Sequence, residues 1–235
     1  MPLPGTFHVK RRETPGPLPA QVRKILEQSP EVARSGLGVD FLERIEQFAN
    51  ALQLWGARTN LTARPGDPAE VAFHIVDSLA PLTLDLRPSP LCDGARVLDV
   101  GSGAGFPGLI LAAAFAGDFT LVEARRKRAT FLSMAAAAMG LTNVKVMARR
   151  LSAGTIDRGF DAITARAVGE AALEIIARAL RPQGYGILWL GPAQVINPDR
   201  VRNANLCDLV RHDYVVGRGA KAVRRSLVTL QGRSL

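Results

Sequence analysis

The chain is poor in cysteine. Its two cysteines, Cys92 and Cys207, are far apart and fit no metal-ligand spacing. That argues against a disulfide scaffold or a bound metal and makes a reducing compartment the default. No apolar stretch approaches the ~20 residues that span a bilayer. Met1 to Pro19 has three cations (Lys10, Arg11, Arg12) and five prolines but no apolar centre of a secretory signal, so it reads as a mobile arm. No internal repeat is apparent. What remains is a soluble cytoplasmic protein of 235 residues, 47% hydrophobic, enough for one α/β domain with a helical appendage.

Acidic residues are in the minority. Thirty Lys and Arg face 21 Asp and Glu, a formal charge of +9. Residues 1 to 48 nearly balance, and the surplus falls in Arg125–Arg128, Arg149–Arg150, Arg218, Lys221, Arg224, Arg225 and Arg233. Cations gathered in one region suit a polyanionic substrate; a solvated basic face is the plainer reading.

What is present centres on Asp99-Val-Gly-Ser-Gly-Ala-Gly-Phe-Pro-Gly108, between the apolar runs Arg96–Val100 and Leu109–Phe115. This pattern reads as strand, glycine-rich turn and helix, where an α/β sheet takes in an adenosine-bearing cofactor. Pro107 suits the first helical turn. Two registers compete. Gly103, Gly105 and Gly108 fit the dinucleotide spacing of nicotinamide enzymes, but that fingerprint would start two residues past the strand end. The other register starts at Asp99 and Gly101. Glu123 ends the next apolar run, ~20 residues past the turn, where a carboxylate can accept both hydroxyls of a ribose; both registers use that device.

Around this motif, Pro19–Glu27 and a segment capped by Asp40, with Phe41, Ile45, Phe48, Leu52 and Trp55 on one face, predict helices. A third helix is expected from Asp67 to Leu84. Strands are expected at Arg96–Val100, Phe119–Glu123, Asn143–Met147, Phe160–Ala165 and Tyr185–Leu190, alternating with helices near Pro107–Ala116, Lys127–Met139 and Gly169–Leu180. That alternation predicts an α/β, Rossmann-like, mostly parallel sheet with helices on both faces. The runs Asp213–Gly217 and Arg225–Leu230 suit a closing antiparallel pair. The expected organisation is an arm (1–18), a helical lobe (19–90) and a cofactor-binding domain (91–235).

With its acidic residue before Gly-x-Gly-x-Gly, the chain resembles class I S-adenosylmethionine-dependent methyltransferases. More narrowly, it is similar to bacterial methyltransferases of the glucose-inhibited division protein B type. The similar stretches are Trp55 with Asn60–Ala63, His74–Leu79, Gly105–Gly108, Glu123–Leu132 and Phe160–Ala167, with an echo at Arg225–Leu230. The resemblance implies methylation of guanine N7 in small-subunit (16S) ribosomal RNA, in the region of its 530 loop. It implies S-adenosylmethionine contacts at Asp99, Gly101, Ser102, Gly103, Gly105, Phe106, Glu123, Arg150, Leu151 and Arg166, the last near the reacting methyl. For RNA it implies Arg125, Arg126, Lys127, Arg128, Asn60, His74 and Arg225, on a monomer without metal or membrane. Two departures stand out. Ala148-Arg-Arg-Leu-Ser152 lacks the usual adenine-side carboxylate, and Leu190-Gly191 replaces a Lys-Gly pair.

Plainer roles compete at several positions. His74, Asp77 and Ser78 suggest a hydrolase triad, but three residues within about one turn more readily tie helices together. Asn60 and Thr62 suit caps or turns. Cations at Arg125–Arg128 oppose the dipole of the helix they open, which favours an external partner such as phosphate. Trp55 and Trp189 suit packing. Guanine N7 has a lone pair and no proton, so its methylation needs alignment rather than a general base, in keeping with the lack of an obvious acid–base pair. Three rivals stay open: another methyl acceptor, a nicotinamide oxidoreductase, and a non-catalytic RNA-binding protein.

Overall fold

The computed structural model describes residues 16–84, 86, 89–152, 154, 156–167, 169–191, 193–217 and 222–233. Lys10, Arg11, Arg12, Arg218 and Lys221 lie outside the described residues, as does most of the expected arm. Five helices come first: α1 (Leu18–Glu27), α2 (Pro30–Arg34), α3 (Val39–Thr59), α4 (Pro68–Ser78) and α5 (Ala80–Thr83). Strands and helices then alternate as β1 (Arg96–Val100), α6 (Gly108–Ala114), β2 (Asp118–Val122), α7 (Arg126–Ala138), β3 (Val144–Met147) and β4 (Phe160–Arg166). A 3-10 turn (Gly169–Ala172), α8 (Leu173–Ala179), β5 (Leu180–Leu190), α9 (Pro198–Asn203), β6 (Leu206–Val216) and β7 (Val223–Gly232) complete the chain.

The seven strands form one sheet in the order β3-β2-β1-β4-β5-β7-β6. The first five are parallel to one another, and β7 runs antiparallel to both β5 and β6. Strand order reverses at β1, so the crevice beyond its carboxyl end is open to a ligand. Side chains alternate between two apolar layers, as a pleated strand requires. Val97, Phe119, Leu121, Ile187, Trp189 and Leu227 join the layer with α1, α3, α4, α6 and α7. Leu98, Val100, Val122, Leu188, Leu190 and Val228 face α8 and α9. Residues of the N-terminal helices are therefore continuous with one sheet layer: Phe48 of α3 meets Phe106 edge-on at 5.3 Å.

Several boundaries differ from expectation for local reasons. Gly38 caps α3, and Asp40 sits one turn-position inside, where its charge still favours the helix N-terminus. The expected 67–84 helix breaks at Leu79. Pro81 has no N–H to give the Asp77 carbonyl, and that carbonyl accepts the Trp189 indole instead, at 2.8 Å. Asp67 caps α4 through the N–H groups of Ala69 and Glu70. Strand β6 begins seven residues before the expected Asp213, along a stretch that alternates exposed and half-buried residues at the sheet edge. Pro107 occupies the cap of α6 rather than its first turn. Helices α2 and α9 had no counterpart among the expectations.

Candidate cofactor and substrate site

Gly101 makes the turn directly after β1, at φ 72°. Its N–H and that of Ser102 both donate to the Val122 carbonyl, at 2.9 and 3.1 Å. The turn therefore begins at Gly101, in the register that starts from Asp99. The later glycines serve different ends. A Cβ on Gly105 would lie 2.7 Å from Leu109 Cδ1, and one on Gly108 would lie 2.5 Å from Asp99 Oδ2. These two glycines let the helix pack on the strand. At Gly103 (φ 55°) a Cβ would meet the Gly101 carbonyl at 3.7 Å and Arg128 Nη1 at 3.9 Å, ordinary contacts, so the left-handed backbone rather than crowding favours glycine there.

Glu123 follows β2 and is 7% exposed. Its Oε2 accepts the Gly103 N–H at 3.0 Å, and its Oε1 accepts the Arg125 N–H at 2.8 Å. Each oxygen keeps a lone pair for a further donor. Asp99 lies beneath the turn, where its Oδ1 accepts the Thr164 hydroxyl at 2.7 Å and its Oδ2 has no hydrogen bond that meets ordinary geometry among the described residues. Burial pushes its carboxyl up to about 6, against the pull of the Thr164 hydrogen bond. Ser102 is buried too and donates to the Asp99 carbonyl. Asp99 and Ser102 therefore brace the turn from below. Arg150 is exposed beyond β3, and Leu151 is half-buried against the α8 layer.

Beside the turn, a buried polar cluster joins α4 to the ends of three strands. Asp77 is fully buried. It forms an ion pair with Arg166 Nη2 at 2.9 Å and accepts from Arg225 Nε and Nη2 at 3.3 and 3.2 Å and from the Tyr214 hydroxyl at 2.6 Å. Arg166 Nη2 also reaches His74 Nδ1 at 2.9 Å, while Arg166 Nη1 is buried without an acceptor. His74 packs on Phe106 of the glycine loop, with ring centroids 5.2 Å apart. The hydrolase triad is absent: Ser78 donates to the His74 backbone carbonyl, not to its ring.

The cations grouped by sequence separate in space. Arg125, Arg126 and Lys127 are exposed at the start of α7. Arg128 turns inward and donates to the Asn60 carbonyl at 2.7 Å. Asn60 itself ends α3 in the left-handed conformation. Arg225 is mostly turned inward, with two of its three guanidinium nitrogens, Nε and Nη2, donating to Asp77. Trp189 packs in the core, and Trp55 packs 6.4 Å from Phe131. Sequence alone missed Tyr214 and the role of Asp77; no local pattern marks them.

With the strand order reversing at β1 and an antiparallel hairpin closing the far edge, this sheet has the class I methyltransferase architecture, whose methyl donor is S-adenosylmethionine. The chain belongs to the GidB family, rRNA small subunit methyltransferase G, matched over residues 41–227. It is 37% identical over 201 residues to Ribosomal RNA small subunit methyltransferase G of Sorangium cellulosum, covering 83% of this chain and 75% of that one. The same-named protein of Coxiella burnetii is 36% identical over 162 residues, covering 66% and 76% of the two chains. A solved SAM-dependent O-methyltransferase from Thermotoga maritima superposes with TM-score 0.49 at 16% identity, covering 68% of this chain and 65% of that one. Among the described residues, no helix is long and apolar enough to cross a membrane, and no group of three or more His, Cys, Asp or Glu could hold a metal. Family membership removes the nicotinamide oxidoreductase from contention.

Proposed function

We propose that this protein transfers a methyl group to N7 of a guanine in the 530-loop region of 16S ribosomal RNA, acting in the cytoplasm as a monomer. S-adenosylmethionine, when bound, supplies an electrophilic methyl carbon: the N7 lone pair bonds to it as the carbon–sulfur bond breaks, leaving the positive charge on the purine. The observation that carries the reading is Glu123. Its two oxygens fix the turn through Gly103 and Arg125 and keep open lone pairs that suit two ribose hydroxyls. Gly103, with no side chain and a left-handed backbone, lets the nucleoside approach bare backbone. The unpartnered Arg166 Nη1 gives a buried donor for an incoming acceptor. Asp99 and Ser102 act as supports, holding Gly101 and Gly103 in place. No side chain needs to remove a proton, so the residues orient the reactants and exclude water.

The exposed triplet Arg125, Arg126 and Lys127 stands at the unfavourable end of α7 with no acidic residue in its first turn. Phosphate is the partner that would offset that repulsion. The deciding experiment is tritiated methyl transfer to small-subunit particles lacking the modification, compared with naked transcript. One methyl per particle, mapped to a guanine N7, is expected. Label on another base, or on ribosomal protein, would overturn the acceptor assignment.

A further inference from the structure

We infer that His74 selects guanine by donating its Nε2–H to the base O6, in a cavity beside the glycine loop. The inference rests on the guanine-N7 reading and adds the residue and pocket that recognise the base. The cavity encloses 760 Å³, and its walls include Ala63, Glu70, Phe73, His74, Val76 and Val216. That volume is ordinary for a small-ligand pocket, and the lining mixes apolar side chains with Glu31, Asp67 and the Arg64–Glu70 ion pair. His74 places it next to the methyl-transfer crevice, since the same ring packs on Phe106 of the loop.

The proton on His74 is fixed by its neighbour. A guanidinium can only donate, so Nδ1, 2.9 Å from Arg166 Nη2, carries the lone pair. A neutral ring must then hold its hydrogen on Nε2. Burial and the charge of Arg166 push the His74 pKa down to about 4, which keeps the ring neutral at physiological pH. Arg166 is itself held by Asp77, so the ring cannot easily turn over. Nε2 has no hydrogen bond among the described residues. The nearest carboxylate oxygen, Glu70 Oε1, lies 3.9 Å away, beyond hydrogen-bond reach, and already accepts the Arg64 N–H. A fixed, unfilled donor on a cavity wall calls for an acceptor.

Guanine supplies one. Its groove edge carries two acceptors, N7 and O6, whereas adenine carries N7 and an N6 amino donor. Since N7 must stay free to react, O6 is the atom left to read. His74 Nε2–H would pair with O6 and would face the amino group of adenine donor to donor. Neutrality matters twice, because a cation here would also oppose the charge arriving on the base. The base reaches such a pocket only when unpaired and turned out of its stack.

The test uses small-subunit RNA carrying guanosine or 2-aminopurine riboside at the target, the latter keeping N7 but lacking O6. The readout is the ratio of the two kcat/KM values, in which the folded fraction of enzyme cancels. Wild type should prefer guanosine by about 10- to 100-fold. His74→Phe should bring that ratio close to one, and His74→Gln, which retains an N–H donor, should restore part of it. A wild-type preference absent from the start, or one that survives His74→Phe, overturns the inference. Wild type that leaves the target N7 unmethylated in both RNAs would instead sink the proposed function.

Discussion

Two sets of arginines look alike along the chain and do opposite work in the fold. Arg166 and Arg225 point inward, 14% and 16% exposed, and converge on the fully buried Asp77. Arg125 and Arg126 point outward with no carboxylate in the first turn of their helix. The inward pair is held by Asp77 inside the molecule, so its charge is insensitive to salt, while Arg166 Nη1 stays available to an incoming acceptor. The outward pair leaves its donors unspent and sits where the helix dipole disfavours it. Net charge therefore overstates the surface available to RNA. What identifies a binding cation is the lack of an internal partner.

Breaking the inward set should have the largest effect. Asp77→Ala strands two buried guanidinium groups and the Tyr214 hydroxyl at once. Removing one partner of a buried ion pair costs about 3–5 kcal/mol, so urea unfolding should show a loss of that size. A loss under about 1 kcal/mol would mean that water replaces the carboxylate and the cluster is no structural hub.

Gly103 sharpens the contrast from the other side, because it works through backbone left bare rather than through a side chain. Gly103→Val should weaken S-adenosylhomocysteine binding on the order of 100-fold by calorimetry, about 2.7 kcal/mol. Valine would put a branched side chain where the nucleoside lies, in a backbone conformation it disfavours. Circular dichroism distinguishes that outcome from unfolding, and unchanged affinity would move the cofactor off this turn.

The same contrast explains what could be read from sequence. The strands and the glycine turn were legible because hydrophobic runs, glycine positions and the ~20-residue spacing to Glu123 are local patterns. The Asp77 cluster was not. Its members meet across 92 residues from His74 to Arg166, 137 from Asp77 to Tyr214 and 148 from Asp77 to Arg225. The partner of Arg225 was out of reach for this reason: Asp77 lies on a helix far upstream. Arg128 was grouped with Arg125–Lys127 by adjacency, although the fourth position of that run falls on the inner side of α7. Boundaries failed where one distant group decided them, as at Pro81, where the Trp189 indole takes the carbonyl that helix continuation would use.

Reversing the outward charges should separate binding from folding. Arg125→Glu with Arg126→Glu should weaken RNA binding about tenfold or more and flatten its salt dependence, by roughly one unit of slope for each phosphate no longer neutralised. Stability should hold or rise by about 0.3–1 kcal/mol, since carboxylates suit a helix N-terminus. An unchanged salt slope would show that RNA does not touch this edge.

The smallest effect concerns two buried groups beside the crevice whose titrations oppose each other. Asp99 is pushed up from 3.8 to about 6, so it stabilises the fold below its unfolded value and loses that contribution as pH rises through about 6. His74 is pushed down from 6.5 to about 4, by burial and then by Arg166 and Arg225, against Glu70 and Asp77. Its contribution is present above 6.5 and is lost as pH falls through about 4. Between those limits the two slopes cancel. Asp99→Asn removes one of them, so acidification from about pH 5.5 to 4.5 should cost this variant about 1 kcal/mol more stability than wild type. His74→Gln should deviate in the opposite direction over the same interval. Urea midpoints that move in parallel for all three proteins would mean that neither group is held in its buried protonation state.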